Sequence, residues 1–208
     1  MERDALRKEN YYVRAGTLDP GLVRRYWRLI GPAPRVLDVG CGQGCFGRLK
    51  PDAAAEVFGV DFDPIAVETA GRYETASRVD LDAGVLPFPD AMFDAAFAKD
   101  VLEHLAKPWM MLAEIRRVLK PAGLVIVSVP MEYPARVWSD YTHVRGFTRE
   151  AVANLLADGG FRVLHVVPMG GIPMFGRLGW IDLVPVALRV PGMRRVFGAS
   201  WEALARRG

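Results

Sequence analysis

Apolar residues come along this chain in two alternating rhythms. Short strand-like runs recur at Arg35–Val39, Glu56–Val60, Ser77–Leu81, Phe93–Ala98, Gly123–Val129 and Arg162–Val167. Between them, Pro64–Tyr73, Pro108–Leu119 and Arg149–Gly159 carry apolar residues at helical spacing, and an amphipathic stretch over 19–30 precedes the first run. Strands alternating with helices predict a parallel sheet covered by helices. Local chemistry agrees with these limits. Pro64 suits a first helical turn, Asp63 and Thr148 stand where N-caps are wanted, and Glu150 puts an acid in a first turn. Lys120-Pro-Ala-Gly123 stops the long helix before the next strand. The pattern changes after Gly170. Ile172 to Val190 is mostly apolar but is broken by Pro173, Arg177, Asp182, Pro185 and Arg189. A bilayer-spanning helix needs roughly twenty uninterrupted apolar residues, so this stretch is expected to pack on the sheet or to serve as a lid, a dimer surface or an interfacial element carrying Met174, Phe175 and Trp180.

At 208 residues, with 51% hydrophobic and 25% charged positions, the chain suits one α/β domain with a modest extension. Cys41 and Cys45 are too few for a disulfide framework and have no Cys or His cluster beside them, so reduced thiols and no metal are expected. The charged first ten residues lack the apolar core of a secretory signal, which points to the cytoplasm. The net charge of +3 is uneven. Residues 173–208 hold six arginines against Asp182 and Glu202, a surplus of +4 that leaves the rest near neutral. Such a basic tail suits anionic lipid, an acidic substrate or a solvated helix face, and no Lys/Arg run is dense enough for a nucleic-acid footprint.

The candidate chemistry begins at Arg35-Val-Leu-Asp-Val-Gly-Cys-Gly-Gln-Gly-Cys-Phe-Gly47, a strand feeding a loop with Gly40, Gly42 and Gly44. Alternate glycines let backbone approach a ligand closely, and a following helix leaves N–H groups for it. Asp38 sets the loop apart from a phosphate cradle, because a carboxylate repels a pyrophosphate and attracts an ammonium or sulfonium. The shifted frame Gly42-Gln-Gly44-Cys-Phe-Gly47 also satisfies the dinucleotide pattern, so a nicotinamide cofactor stays open at this point. Asp61, ending the second strand, suits both hydroxyls of a ribose in either case, with Phe62 beside it for the base.

Asp38-Val-Gly-Cys-Gly-Gln-Gly44 resembles the first motif of the class I S-adenosylmethionine-dependent methyltransferases. Asp80-Leu-Asp82-Ala-Gly-Val-Leu86-Pro-Phe-Pro-Asp90, Val101-Leu-Glu103-His104 and Tyr141-Thr-His143-Val-Arg145-Gly-Phe147 resemble its small-molecule, type 11-like branch. The resemblance implies a Rossmann-like, seven-stranded, mostly parallel sheet with helices on both faces and an antiparallel last strand. It implies S-adenosylmethionine as cofactor and transfer of its methyl by in-line displacement. Asp38, Gly40, Cys41, Gly42 and Gly44 would then hold the amino-acid end, Asp61 the ribose and Phe62 the adenine face. Asp82 would accept the adenine amino group, with Asp80 less suited because it is expected in the strand. The Ala83 N–H would face a ring nitrogen. Lys99 would lie near the sulfonium through its carbonyl. His143, in a long loop over Met131–Phe147 that borders the acceptor, is the expected general base, with His104 as the second catalytic candidate.

The expected organisation is a helical cap over 1–32, with Tyr11, Tyr12, Arg14 and Trp27 closing over the donor, a donor-binding domain over 33–170 and an apolar, basic extension over 171–208. The expected partner is a small, amphiphilic acceptor such as a quinone or lipid-linked precursor, with glycan or nucleotide-sugar intermediates open. No nucleic acid is expected, the tail is the place for any peripheral membrane contact, and the chain would be a monomer or homodimer. Two other readings are a donor-binding partner subunit without turnover and a nicotinamide-dependent oxidoreductase.

Overall fold

The structure, a computed structural model, describes residues 19–51, 55–63, 73, 75–171 and 180–208. Seven strands, β1 (Arg35–Val39), β2 (Glu56–Asp61), β3 (Thr75–Arg78), β4 (Phe93–Lys99), β5 (Leu119–Pro130), β6 (Phe161–Gly170) and β7 (Gly198–Arg207), pair in the order β3-β2-β1-β4-β5-β7-β6. Neighbours from β3 to β5 run parallel, and β7 runs antiparallel to both β5 and β6. Among the described residues the helices are α1 (Pro20–Ile30), α2 (Cys45–Arg48), α3 (Pro108–Val118), α4 (Pro134–Val137), α5 (Arg149–Asp158), α6 (Val184–Ala187) and α7 (Pro191–Phe197), with a 3-10 turn at Ile181–Leu183.

Strand alternation divides the core between the two faces of the sheet. Leu37, Val39 and Val127 meet Met111, Leu112 and Ile115 of α3 and Val152 and Leu156 of α5. On the other face Val36, Phe97, Ile126 and Leu204 meet Tyr26, Trp27 and Ile30 of α1 and Phe46 of α2. Aromatic rings fill that layer, with centroids 4.5 Å apart for Trp27 and Phe46 and 4.6 Å for Phe46 and Phe97. The helix expected over 19–30 forms as α1, with Pro20 in its first turn and the Asp19 carboxylate accepting the Leu22 N–H at 3.0 Å.

An almost completely buried ion pair fastens α1 to the sheet. The Arg25 guanidinium, 6% exposed, donates to the fully buried Glu202 of β7 and also reaches Asp182 of the 3-10 turn at 3.2 Å. Ile181, Val184 and Leu188 pack on Met169 of β6. Residues 181–197 therefore lie on the sheet, while Met174, Phe175 and Arg177 fall outside the described residues.

The sheet corrects three expectations. The domain does not stop at 170, because β7 fills the slot between β5 and β6 and carries Arg206 and Arg207 into the sheet. β3 ends at Arg78, so Asp80 lies in the following loop and not in a strand. β5 runs from Leu119 and extends well beyond the expected Gly123–Val129. The expected helix over Pro64–Tyr73 and the residues Tyr11, Tyr12 and Arg14 lie outside the described residues, apart from Tyr73 itself. Among the described residues no helix is long and apolar enough to cross a membrane.

Candidate active site

The sheet order reverses between β1 and β4, and parallel sheets hold ligands beyond the carboxyl ends of strands at such a switch point. Most of the candidate residues gather there. Gly40, Gly42 and Gly44 all have positive φ, at 72°, 48° and 73°, which selects glycine at each. A Cβ on Gly40 would also stand 2.2 Å from Cγ2 of Val101. The Gly40 and Cys41 N–H groups donate to the Val60 carbonyl at 2.8 and 3.1 Å, which pins the loop to the end of β2. Cys41 is buried, and burial, with Asp38 and Asp61 adding to it, pushes its thiol far above the usual range.

Asp61 organises the nucleoside end. Its Oδ2 accepts the Gly42 N–H and its Oδ1 the Asp63 N–H, both at 2.9 Å. Each oxygen of a carboxylate has a second acceptor position, so the pair is already aimed by backbone. Phe62 is 50% exposed, and the Arg78 guanidinium lies 5.8 Å from its ring centroid.

Asp38 sits differently from the expectation. Alternation along β1 turns it toward the layer of Val36 and Phe46, where it is 3% exposed and its Oδ2 accepts the Tyr73 hydroxyl at 2.5 Å. The Gly47 N–H donates to the same hydroxyl at 3.3 Å, so the immediate partner of Asp38 is Tyr73 and not an open cleft. Burial, reinforced by Asp61 and partly offset by Tyr73, pushes the Asp38 carboxyl up to about 7. The folded protein then holds one more proton than the unfolded chain between about pH 4 and about pH 7. Stability without donor should therefore be complete below about pH 4 and fall on the way to pH 7, by at most about 1.4 kcal/mol per pH unit. Urea midpoints across that range should show this slope in the wild type and a flatter one in Asp38→Asn. Equal slopes would remove the proton from Asp38.

The segment after β3 is built around Asp80 and Asp82. Asp80 orders the turn, with Oδ1 accepting the Asp82 N–H at 3.0 Å and its carbonyl accepting the Ala83 N–H at 3.1 Å. Ala83 therefore spends its N–H inside the turn, contrary to its expected role toward a ring nitrogen. The Asp82 side chain is exposed and ties the loop to the far side of the cleft, accepting the Ala106 N–H at 2.7 Å. Leu86-Pro-Phe-Pro-Asp90 is a clamped element, because Arg117 donates to the Leu86 and Phe88 carbonyls at 3.0 and 2.8 Å and to Asp90 at 2.7 Å.

Lys99 ends β4, and its ammonium pairs with the adjacent Asp100. Asp100 turns the chain with a φ of 54° while its N–H donates to the Ser128 carbonyl at 2.9 Å. His104 and His143, separate in sequence, come together with ring centroids 4.6 Å apart. Sequence reasoning missed the side chain that joins them. Glu103 is fully buried, and its Oε1 lies 3.9 Å from Nε2 of His143. Burial first, then the Asp100 charge, holds Glu103 well above the usual carboxylate range, and burial with His143 beside it lowers His104. The loop is fixed from both sides. Nδ1 of His143 meets the Val137 carbonyl at 2.6 Å, and Nδ1 of His104 meets the Thr142 hydroxyl at 3.0 Å. The signal for Glu103 was the acid preceding His104, a neighbour whose burial only the fold reveals.

Comparison with known proteins agrees with this geometry. A methyltransferase domain family matches residues 37–127. A probable S-adenosylmethionine-dependent methyltransferase of Mycobacterium tuberculosis (strain H37Rv) is 32% identical over 93% of this chain and 70% of its own length. Among solved structures, a methyltransferase of Archaeoglobus fulgidus shares the fold with a TM-score of 0.69, covering 90% of this chain and 92% of its own at 20% identity. A (4+2)-cyclase, SpnF, has a TM-score of 0.67 and 25% identity, covering 90% of this chain and 81% of its own. The chain spans from 47% to 70% of the length of the first curated relatives it matches.

Proposed function

The chain belongs to the S-adenosylmethionine-dependent methyltransferases, and from that membership we propose that it methylates a small, amphiphilic acceptor bound beneath the loop over residues 131–147. The observation that carries the donor half is Asp61, whose two oxygens are aimed by the Gly42 and Asp63 N–H groups at the end of β2. A preset acid one strand from the switch point fits a ribose diol. The positive-φ glycines bring backbone, without side chains, to the neighbouring position.

Each side chain then has a task. Asp61 accepts the two ribose hydroxyls, Phe62 packs against the base and the exposed Asp82 accepts its amino group. Gly40, Cys41, Gly42 and Gly44 supply backbone to the amino-acid end, and Lys99 lends its carbonyl at the end of β4. Asp38 acts through Tyr73, holding the loop from beneath. The bound donor supplies an electrophilic methyl group. On the acceptor side, Nδ1 of His143 donates to the Val137 carbonyl, which leaves Nε2 as the basic nitrogen for a hydroxyl proton, while His104 buttresses the ring. Alignment and exclusion of water do the remaining work. The exposed Trp180, Leu183, Val186 and Val190, with Arg189 among them, support an amphiphilic acceptor met in the cytoplasm or at a membrane surface.

The test is a calorimetric titration of the purified chain with S-adenosylmethionine and S-adenosylhomocysteine, with NADH and NADPH as controls. Micromolar binding of the sulfur nucleosides is the expected result, and binding of NADH in their place would overturn the reading. A screen of phenolic and lipid-linked hydroxyl compounds with methyl-labelled donor follows. His143→Asn should lower turnover of the responding acceptor about 100-fold while donor affinity holds. The cyclase neighbour favours a second reading, a donor-binding protein with other chemistry, and donor binding without any methylated product would favour it.

A further inference from the structure

We propose that Glu103, His104 and His143 form a site for a divalent transition-metal ion of the zinc type on the acceptor side of the cleft. One ligand atom from each residue lies within 4.8 Å of the other two. Zinc is tetrahedral and sits about 2.0–2.2 Å from nitrogen and oxygen ligands, so two ligands of one ion lie about 3.4 Å apart, and side-chain rotations that draw the atoms together by up to about 1.4 Å close the site.

Three features make this a built site. Both Glu103 carboxylate oxygens are buried and have no hydrogen-bond partner among the described residues. Buried polar atoms left so are costly, and a cation would satisfy both. The 3.9 Å between Oε1 of Glu103 and Nε2 of His143 is too long for a hydrogen bond and only about half an ångström wider than the spacing of two ligands on a tetrahedral ion.

The imidazoles are also oriented as ligands. The Val137 carbonyl can only accept, so the His143 proton is on Nδ1 and the lone pair on Nε2. The Thr142 hydroxyl donates to Asp140 Oδ1 at 2.6 Å and therefore accepts from Nδ1 of His104. A hydrogen bond on the far nitrogen is the usual support of metal-bound histidines. Two imidazoles and one carboxylate suit zinc and its neighbours better than calcium or magnesium, and three protein ligands leave a position for an acceptor oxygen. The Val144 N–H, donating to the Glu103 carbonyl at 2.9 Å, anchors the loop that brings His143 to the site.

This deepens the methyl-transfer reading at one atom, because Nε2 of His143 is a ligand in the loaded protein and the proton acceptor in the metal-free one. The test uses tag-free chain stripped with chelator, titrated with Zn²⁺ in a calorimeter and with Co²⁺ by visible absorption. One ion per chain is expected. Glu103→Gln and His143→Ala should each weaken it by more than the about 10- to 100-fold that loss of a ligand's supporting hydrogen bond costs, whereas His165→Ala, outside the cluster, binds as wild type. If either variant fails to fold, Thr142→Val tests the same geometry by removing the partner of His104, and weaker binding is again expected. No uptake by the wild type, or equal uptake by every variant, overturns the site. Donor titration in chelator is read separately, so loss of the metal site leaves the methyltransferase reading standing.

Discussion

Asp61→Ala should lower affinity for S-adenosylmethionine and S-adenosylhomocysteine about 100- to 1,000-fold, with the fold retained. Hydrogen bonds to an ionised acceptor contribute about 1.5–3 kcal/mol each, and two ribose hydroxyls would lose theirs together. The variant also leaves the Gly42 and Asp63 N–H groups without the acceptor that presets them at 2.9 Å. A combined loss of about 3–4 kcal/mol corresponds to that range. Asp61→Asn keeps the shape but only one acceptor oxygen, so its loss should fall between wild type and alanine. Calorimetric titration of the three proteins decides the matter. An alanine variant within threefold of wild type would show that the ribose is held elsewhere.

The largest loss of stability is expected from Glu202→Ala. Removing one member of a buried ion pair strands the other charge, at a typical cost of about 3–5 kcal/mol. Arg25 is 6% exposed and would be that stranded charge, although Asp182 at 3.2 Å remains as a second partner and favours the lower end. Urea denaturation should show the midpoint falling with little change in slope. Arg25→Met combined with Glu202→Leu should recover most of the loss, because it removes both charges. A single variant within about 1 kcal/mol of wild type would mean that Arg25 moves wholly onto Asp182.

The donor half of the molecule was largely legible in the sequence because its signals are local. A strand runs straight into three glycines that need positive φ, and the acid at the next strand end follows Gly42 by 19 residues. Together with the resemblance of Asp80–Asp90, which separates the sulfonium donor from a nicotinamide, they gave the sheet class, the family and the donor, and these agree with the structure and the relatives. What failed to show depends on contacts distant in sequence. Asp38 pairs with Tyr73 across a segment whose direction periodicity does not give. Ala83 turned out to be occupied because Asp80, placed in a strand by its neighbours, lies beyond β3 and closes a turn.

β7 was missed for a different reason. Ser200-Trp-Glu-Ala-Leu-Ala-Arg-Arg207 is rich in helix formers, and the slot between β5 and β6 overrides that preference. Glu202 reads as a surface acid until Arg25 is seen opposite it. Glu103 was likewise visible beside His104, but only the fold places His143 against both.

The position of β7 also bears on how the chain is made. β6 lies at the edge of the sheet and pairs with β7, which is synthesised after an intervening stretch from Gly171 to Phe197. At about 5–20 residues per second, a ribosome takes seconds to supply the strand that joins β5 to β6. Over that interval the nascent chain holds two long strands with unsatisfied edges. Those edges stay open to pairing with other strands until residues 198–207 have left the ribosome.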